Sequence, residues 1–419
     1  MKYILLISLL SFASHSSEES EVIATLWQEL GHPPMYKEIK PTHPKTEEKK
    51  LPAKKIITPK FKEKIIKRKK ELSPGQRKIE EIKARNRKLI QQKKVESHAP
   101  KDIYEEYRQG MTNLKKETQR TLTEQKNKIS QSRLKWKSSR DKFLKNLSTY
   151  KENTFEMEST HNSSHSNSLT LLPKNSALTK GRDYYVVKNA FNVSVKDQGR
   201  RPTCSAFAGA TAIEILLRQN KSSIEVSEQY IYWSSKPYCQ TAPCSKKGSW
   251  ISYAYDNSIK ARSLNIPTSS ACPYLKESKP GNETQIPLAS GCRTGSVKVE
   301  SYKKINSSTE LLNSLNQDNP VVIGVKLSPN FYTSTGIITY QDSLVSGKMD
   351  EHASGHALLL IGHMKLPTKM SSEGKVCYLA VNSWTTGWGA GGYGCITEKW
   401  LTKYKVRNPF MALTKIRSL

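Results

Sequence analysis

The chain has 419 residues, of which 36% are hydrophobic and 25% charged, and that length exceeds one ordinary domain. Its net charge of +31 divides into +18 over residues 1–180 and +13 over the remainder. The excess is densest in residues 51–100, where lysine and arginine dominate, which excludes a uniformly basic globular protein.

In chain order, Lys2, the apolar run from Ile4 to Phe12 and the small residues from Ala13 to Ser17 predict a signal peptide over residues 1–17. The run is shorter than the roughly 20 apolar residues a membrane-spanning helix needs. No later segment has that character, so no transmembrane span is expected. No cysteine follows the run to carry a lipid anchor. Residues 18–100 read as a low-complexity basic region, with Pro33, Pro34, Pro41, Pro44, Pro52 and Pro59 among lysines. Within it, residues 76–98 have the pattern of a solvated helix. Such a charge run suits an anionic envelope polymer rather than a specific nucleic acid. Over 101–157, Tyr104, Met111, Leu114, Leu122, Ile129, Leu134, Trp136 and Phe143 recur at loosely helical spacing. Residues 158–182, rich in Ser and Asn, read as a linker, and from 183 the composition is that of a folded domain.

All seven cysteines lie beyond residue 200. An odd number in an exported chain predicts three disulfides and one free thiol. Cys377 and Cys395 flank a glycine-rich loop and face each other across a predicted hairpin. Cys239, Cys244, Cys272 and Cys292 allow three pairings, which the sequence leaves open. Cys204 is the odd one, because it opens the helical pattern SAFAGATAIEILLRQN after Pro202 and Thr203. The positive end of a helix favours a thiolate there, and a nearby imidazole would complete the activation of a nucleophile. In the folded part the histidines are His352, in a polar loop, and His356 and His363 at the two ends of the strand pattern GHALLLIGH. His356, at the mouth of that strand, is the candidate base. Tyr378 to Asn382 form a strand ending in an asparagine whose side chain is placed to orient an imidazole. Trp384 follows to cover that bond, and a return strand runs through Tyr393 to Ile396.

These blocks together resemble the papain/cathepsin family of cysteine peptidases. Gln198-Gly199 stands six residues before Cys204. Val226-Ser227-Glu228-Gln229, Cys272-Pro273-Tyr274, Gly355-His356-Ala357 and Asn382-Ser383-Trp384 follow in the family's order, over roughly residues 183–419. The resemblance implies an α+β fold of two lobes, a helical left lobe and an antiparallel β right lobe with the site in the cleft between them, preceded by a basic, partly helical or disordered N-terminal region. It implies an endopeptidase acting on proteins or peptides, and the predicted signal peptide makes it secreted or periplasmic. Cys204 is its nucleophile, His356 its acid and base, Asn382 the orienting group and Gln198 an oxyanion donor. It also implies a zymogen, with residues 101–157 as pro-segment. Three departures bear on the cleft. Arg201 stands where the family has a disulfide cysteine and Ser205 where it has a tryptophan, while the substrate-binding Gly-Gly survives only as Gly248. Other readings of the same fold are an amidase or transamidase on cell-envelope peptides and a non-catalytic envelope-binding protein. Retention of all four site residues weighs against the last. Neither metal nor cofactor is expected, since no ligand cluster, phosphate loop or nucleotide fingerprint is present. A monomer is expected.

Overall fold

The computed structural model describes residues 22, 26, 80–88, 103–152, 169, 171–172, 183–260, 265–277, 279–346, 355–406 and 408–418. The signal-peptide stretch, most of the basic region, most of the 158–182 stretch and His352 lie outside the described residues. The chain forms two units, one of residues 1–20 and 34–118, the other of residues 21–33 and 119–419. In the first, residues 80–88 are helical, and Glu80 and Lys83 form an exposed ion pair one turn apart. No described helix is long and apolar enough to cross a membrane.

Helix α1 (Ile103–Lys145) enters the larger unit and is followed by α2 (Leu147–Glu152). Leu114, Leu122, Ile129 and Leu134 are exposed. They are spaced too sparsely to form a continuous apolar stripe, and among its described side chains the helix buries only Arg140 and Phe143, near its end. Leu169 and Leu172, in the stretch read as a linker, are also buried, and the Leu172 N–H donates to the Glu398 carboxylate.

The helical lobe is built on α3 (Cys204–Gln219), α4 (Glu228–Ser234) and α5 (Ile251–Lys260). Every residue of α3 from Cys204 to Leu217 is buried. A helix apolar on all sides sits at the centre of a core. Gly209 lets α5 approach it, since a Cβ there would fall 2.2 Å from Ile251 Cδ1. Ser227 caps α4 by accepting the Tyr230 N–H. A buried ion cluster lies beneath. Lys196 Nζ reaches Glu214 at 2.9 Å and Glu228 at 2.5 Å, and burial pushes the Glu214 carboxyl up to about 7.

The second lobe is an eight-stranded sheet. Its strands are β1 (Tyr184–Val186), β2 (Val297–Ile305), β3 (Val321–Lys326), β4 (Ile337–Ile338), β5 (Gly355–Lys365), β6 (Val376–Val381), β7 (Tyr393–Thr397) and β8 (Phe410–Ser418). The order is β2-β8-β3-β5-β6-β7-β4, with β1 added to β5. All pairings are antiparallel except β4 with β7. β5 is buried over all but its last residue, which is why it reads as a continuous apolar run rather than an alternation. Cys377 and Cys395 are bonded across β6 and β7 as expected. The pairings left open by the sequence are Cys239–Cys244 and Cys272–Cys292, and Cys204 is free.

Candidate active site

Cys204 is the first residue of α3, so its sulfur sits where backbone N–H groups have no partner within the helix. The Ala357 N–H points at Cys204 Sγ from 3.3 Å, which brings the helix start against the mouth of β5. His356, the residue before Ala357, is buried, and its Nε2 lies 2.8 Å from Asn382 Oδ1 at the end of β6. The Ser383 N–H also donates to that oxygen at 2.8 Å. Two donors on one atom identify it as the carbonyl oxygen of the amide. Nε2 therefore carries the ring proton, and Nδ1 is left as the basic nitrogen. Trp384 packs beside the imidazole with its ring tilted and the centroids 4.5 Å apart, and is 1% exposed.

Gln198 is fixed on four sides. Its N–H donates to Ser383 O at 2.9 Å, its Oε1 accepts from Ser383 Oγ at 2.6 Å, its carbonyl accepts from Tyr274 Oη at 2.8 Å, and its Nε2 donates to Arg201 O at 2.9 Å. A primary amide has a second N–H to offer. Ser205 is buried, with no partner for its hydroxyl among the described residues. Gly248 lies in the loop leading to α5 with φ of 73°, a backbone that favours glycine. Of the residues named from the sequence, the fold brings Cys204, His356, Asn382, Trp384 and, through Ser383, Gln198 together; Gly248 is placed in its loop without a contact to them. The sequence reading missed Ser383, which ties Gln198 to Asn382, and Tyr274, whose hydroxyl also meets Thr203 Oγ1 at 2.7 Å. Both lie in segments singled out for their neighbours, and neither has a chemical signature of its own.

Burial sets the protonation of the pair. It pushes the Cys204 thiol up to about 12, against the pull of three backbone N–H groups, and lowers His356 to about 4. The helix N-terminus alone favours a thiolate, but complete desolvation of the sulfur outweighs it. Both shifts act in the direction of a neutral thiol and a neutral imidazole.

The end of α1 closes over this region. Trp136 Nε1 donates to Gly389 O at 3.1 Å, and Arg140 donates to Gly387 O at 3.1 Å and to Thr333 O at 2.6 Å. Phe143 and Tyr150 meet Trp384 with centroids 6.5 and 5.5 Å away. A Cβ at residue 387 would lie 2.4 Å from both Ser139 O and Phe143 Cβ, so the helix sits this close only because that residue is glycine. No group of three or more potential metal ligands occurs among the described residues.

A family model described as papain family cysteine protease matches residues 187–412. Ananain of Ananas comosus is 27% identical over 206 residues, which are 48% of this chain and 51% of that protein. Digestive cysteine proteinase 2 of Homarus americanus is 29% identical over 203 residues, 48% of this chain and 56% of that protein. The chain spans about half the length of the curated relatives it matches. Among solved structures, xylellain, a cysteine protease from Xylella fastidiosa, aligns at a TM-score of 0.46 with 17% identity, over 64% of this chain and 98% of that one.

Proposed function

We propose that this chain, which belongs to the papain family of cysteine proteases, cleaves peptide bonds through an acyl-enzyme on Cys204. The observation that carries this reading is the juxtaposition of Cys204 Sγ with the Ala357 N–H at 3.3 Å and of His356 with Asn382 at 2.8 Å. His356 Nδ1 takes the thiol proton, and the sulfur adds to the scissile carbonyl carbon. The oxyanion is held by the Cys204 N–H and the second N–H of Gln198 Nε2. The C–N bond then breaks as the imidazolium gives its proton to the leaving amine. Water, deprotonated by the same ring, cleaves the thioester and returns the thiol. Asn382 holds the ring in the tautomer that leaves Nδ1 basic.

The same packing supports a zymogen. The end of α1 occupies the rim beside Trp384, Cys204 is 1% exposed, and burial moves both groups towards their neutral forms. Removal of α1 admits water, lowers the thiol and raises the imidazole towards an ion pair. Three disulfides support export through an oxidising compartment. The charge of the 18–100 region supports contact with an anionic envelope polymer, and the substrates are proteins or peptides. The test is hydrolysis of a fluorogenic peptide amide by the trimmed enzyme, with a peptide nitrophenyl ester used to trap the acyl-enzyme by intact mass. Turnover and a transient adduct are expected, both absent from Cys204→Ala. Turnover retained by Cys204→Ala would overturn the mechanism.

A further inference from the structure

Residues 198–204 form the turn that carries both N–H groups assigned to the oxyanion, and no covalent bridge anchors it. At its centre Arg201 is 0% exposed. Its Nη1 donates to Gln229 Oε1 at 2.7 Å and to Leu275 O at 2.8 Å, and its Nη2 donates to Glu283 O at 2.7 Å. The guanidinium lies 4.8 Å from the Tyr274 ring and 5.3 Å from the Tyr232 ring, close enough for a cation–π pairing with each. The Tyr232 hydroxyl in turn approaches the Glu283 carboxylate at 3.3 Å. One planar fork therefore ties the turn to α4 and to two points of the 275–283 segment. The main chain at the same residue faces the site. A residue before proline is biased to extended backbone, and the Arg201 carbonyl accepts Gln198 Nε2 at 2.9 Å and the Thr203 N–H at 2.8 Å. Tyr274 closes the ring, donating to Gln198 O and pairing with Thr203.

We infer that Arg201, together with Tyr274, is a positioning residue for the reaction: its buried guanidinium fixes the turn whose carbonyl aims Gln198 Nε2 at the substrate oxygen. Its charge is spent on core acceptors and does not reach the substrate. The inference rests on the proposed role of Gln198 as an oxyanion donor. Lysine does not replace arginine here, because an ammonium lacks the planar fork that meets three acceptors in fixed directions.

The test uses the processed enzyme obtained from the full chain, a fluorogenic peptide amide, and concentrations set by titrating the reactive thiol. Arg201→Lys and Tyr274→Phe are expected to lower kcat by up to about 10²-fold, the cost of a misplacement near the reacting atoms. KM is expected to stay within about twofold. In a Gln198→Ala background the same substitutions are expected to change kcat by less than about twofold, because they act through the group already removed. If their effects instead multiply with that of Gln198→Ala, the inference is overturned. It is equally overturned if they lower only the thermal midpoint and leave kcat per titrated thiol unchanged, since Arg201 then merely staples the core. A Gln198→Ala enzyme with full kcat removes the oxyanion role itself, a separate failure recognisable without any Arg201 variant. Should Arg201→Lys not fold, Tyr274→Phe, which loses a single hydroxyl, decides the matter.

Discussion

The indole of Trp384 lies 4.5 Å from the His356 imidazole and also meets Phe143 and Tyr150 from the N-terminal helices. One side chain thus packs against both the proposed base and the N-terminal helices. Trp384→Ala is expected to let water compete for the His356–Asn382 bond. A net hydrogen bond is worth about 1 kcal/mol, so kcat of the trimmed enzyme is expected to fall by about five- to tenfold. The same variant in the untrimmed chain is expected to react faster with a thiol reagent than wild type, since the docking surface for Phe143 is gone. Steady-state kinetics and labelling rates measure the two opposite effects.

Arg140 holds the rim through two carbonyls, Gly387 O and Thr333 O. Hydrogen bonds from a charged group contribute about 1.5–3 kcal/mol. Arg140→Ala is therefore expected to speed labelling of Cys204 in the untrimmed chain by about tenfold or more, while kcat of the trimmed enzyme is unchanged. Gly387→Ala is expected to act in the same direction, because its Cβ would overlap Ser139 and Phe143.

Lys196 is the shared cation of two buried carboxyl groups, Glu214 and Glu228. Removing one partner of a buried ion cluster costs about 3–5 kcal/mol. Lys196→Met is expected to lower the thermal midpoint accordingly, and adding Glu214→Gln is expected to recover part of the loss. Calorimetry on the single and double variants checks both.

His363 is buried against Asn316 and Tyr185, and burial lowers it from 6.5 to about 4. The unfolded chain therefore takes up this proton first as pH falls, and stability from this residue is lost from about pH 6.5 down to about pH 4. His363→Gln keeps a donor for Asn316 but does not titrate. The midpoint of the variant relative to wild type is expected to rise as pH falls from 7 to 4.5. A constant difference across that range would show that His363 is not the group responsible.

The parts of this molecule that were legible in the sequence are those whose chemistry is local. Cys204 at the start of an apolar helix, His356 at the mouth of a buried strand and Asn382 at the end of the next strand each announce themselves by a short pattern, and the Cys377–Cys395 pair follows from hairpin geometry. The partners of Cys239 and Cys272 were not legible, because both depend on how the loops between α4 and β2 fold back. Arg201 was read only as a missing cysteine. Its acceptors are two main-chain carbonyls and one side-chain amide, and carbonyls leave no mark in a sequence. The helical spacing of 101–150 predicted α1 but not which part of it docks. Leu114, Leu122, Ile129 and Leu134 are exposed, while Trp136 and Arg140 donate to main-chain oxygens of a glycine-rich loop. The direction in which burial moves Cys204 and His356 was likewise hidden, since burial of a thiol is a property of the packed site and not of the helix that bears it.

The most direct test of the account is labelling with an epoxide-type thiol reagent, read by intact mass on wild type and Cys204→Ala, before and after limited proteolysis removes the N-terminal region. A single adduct, on wild type alone and only after trimming, is predicted. An adduct of equal rate on Cys204→Ala, or none on wild type in either state, would contradict it.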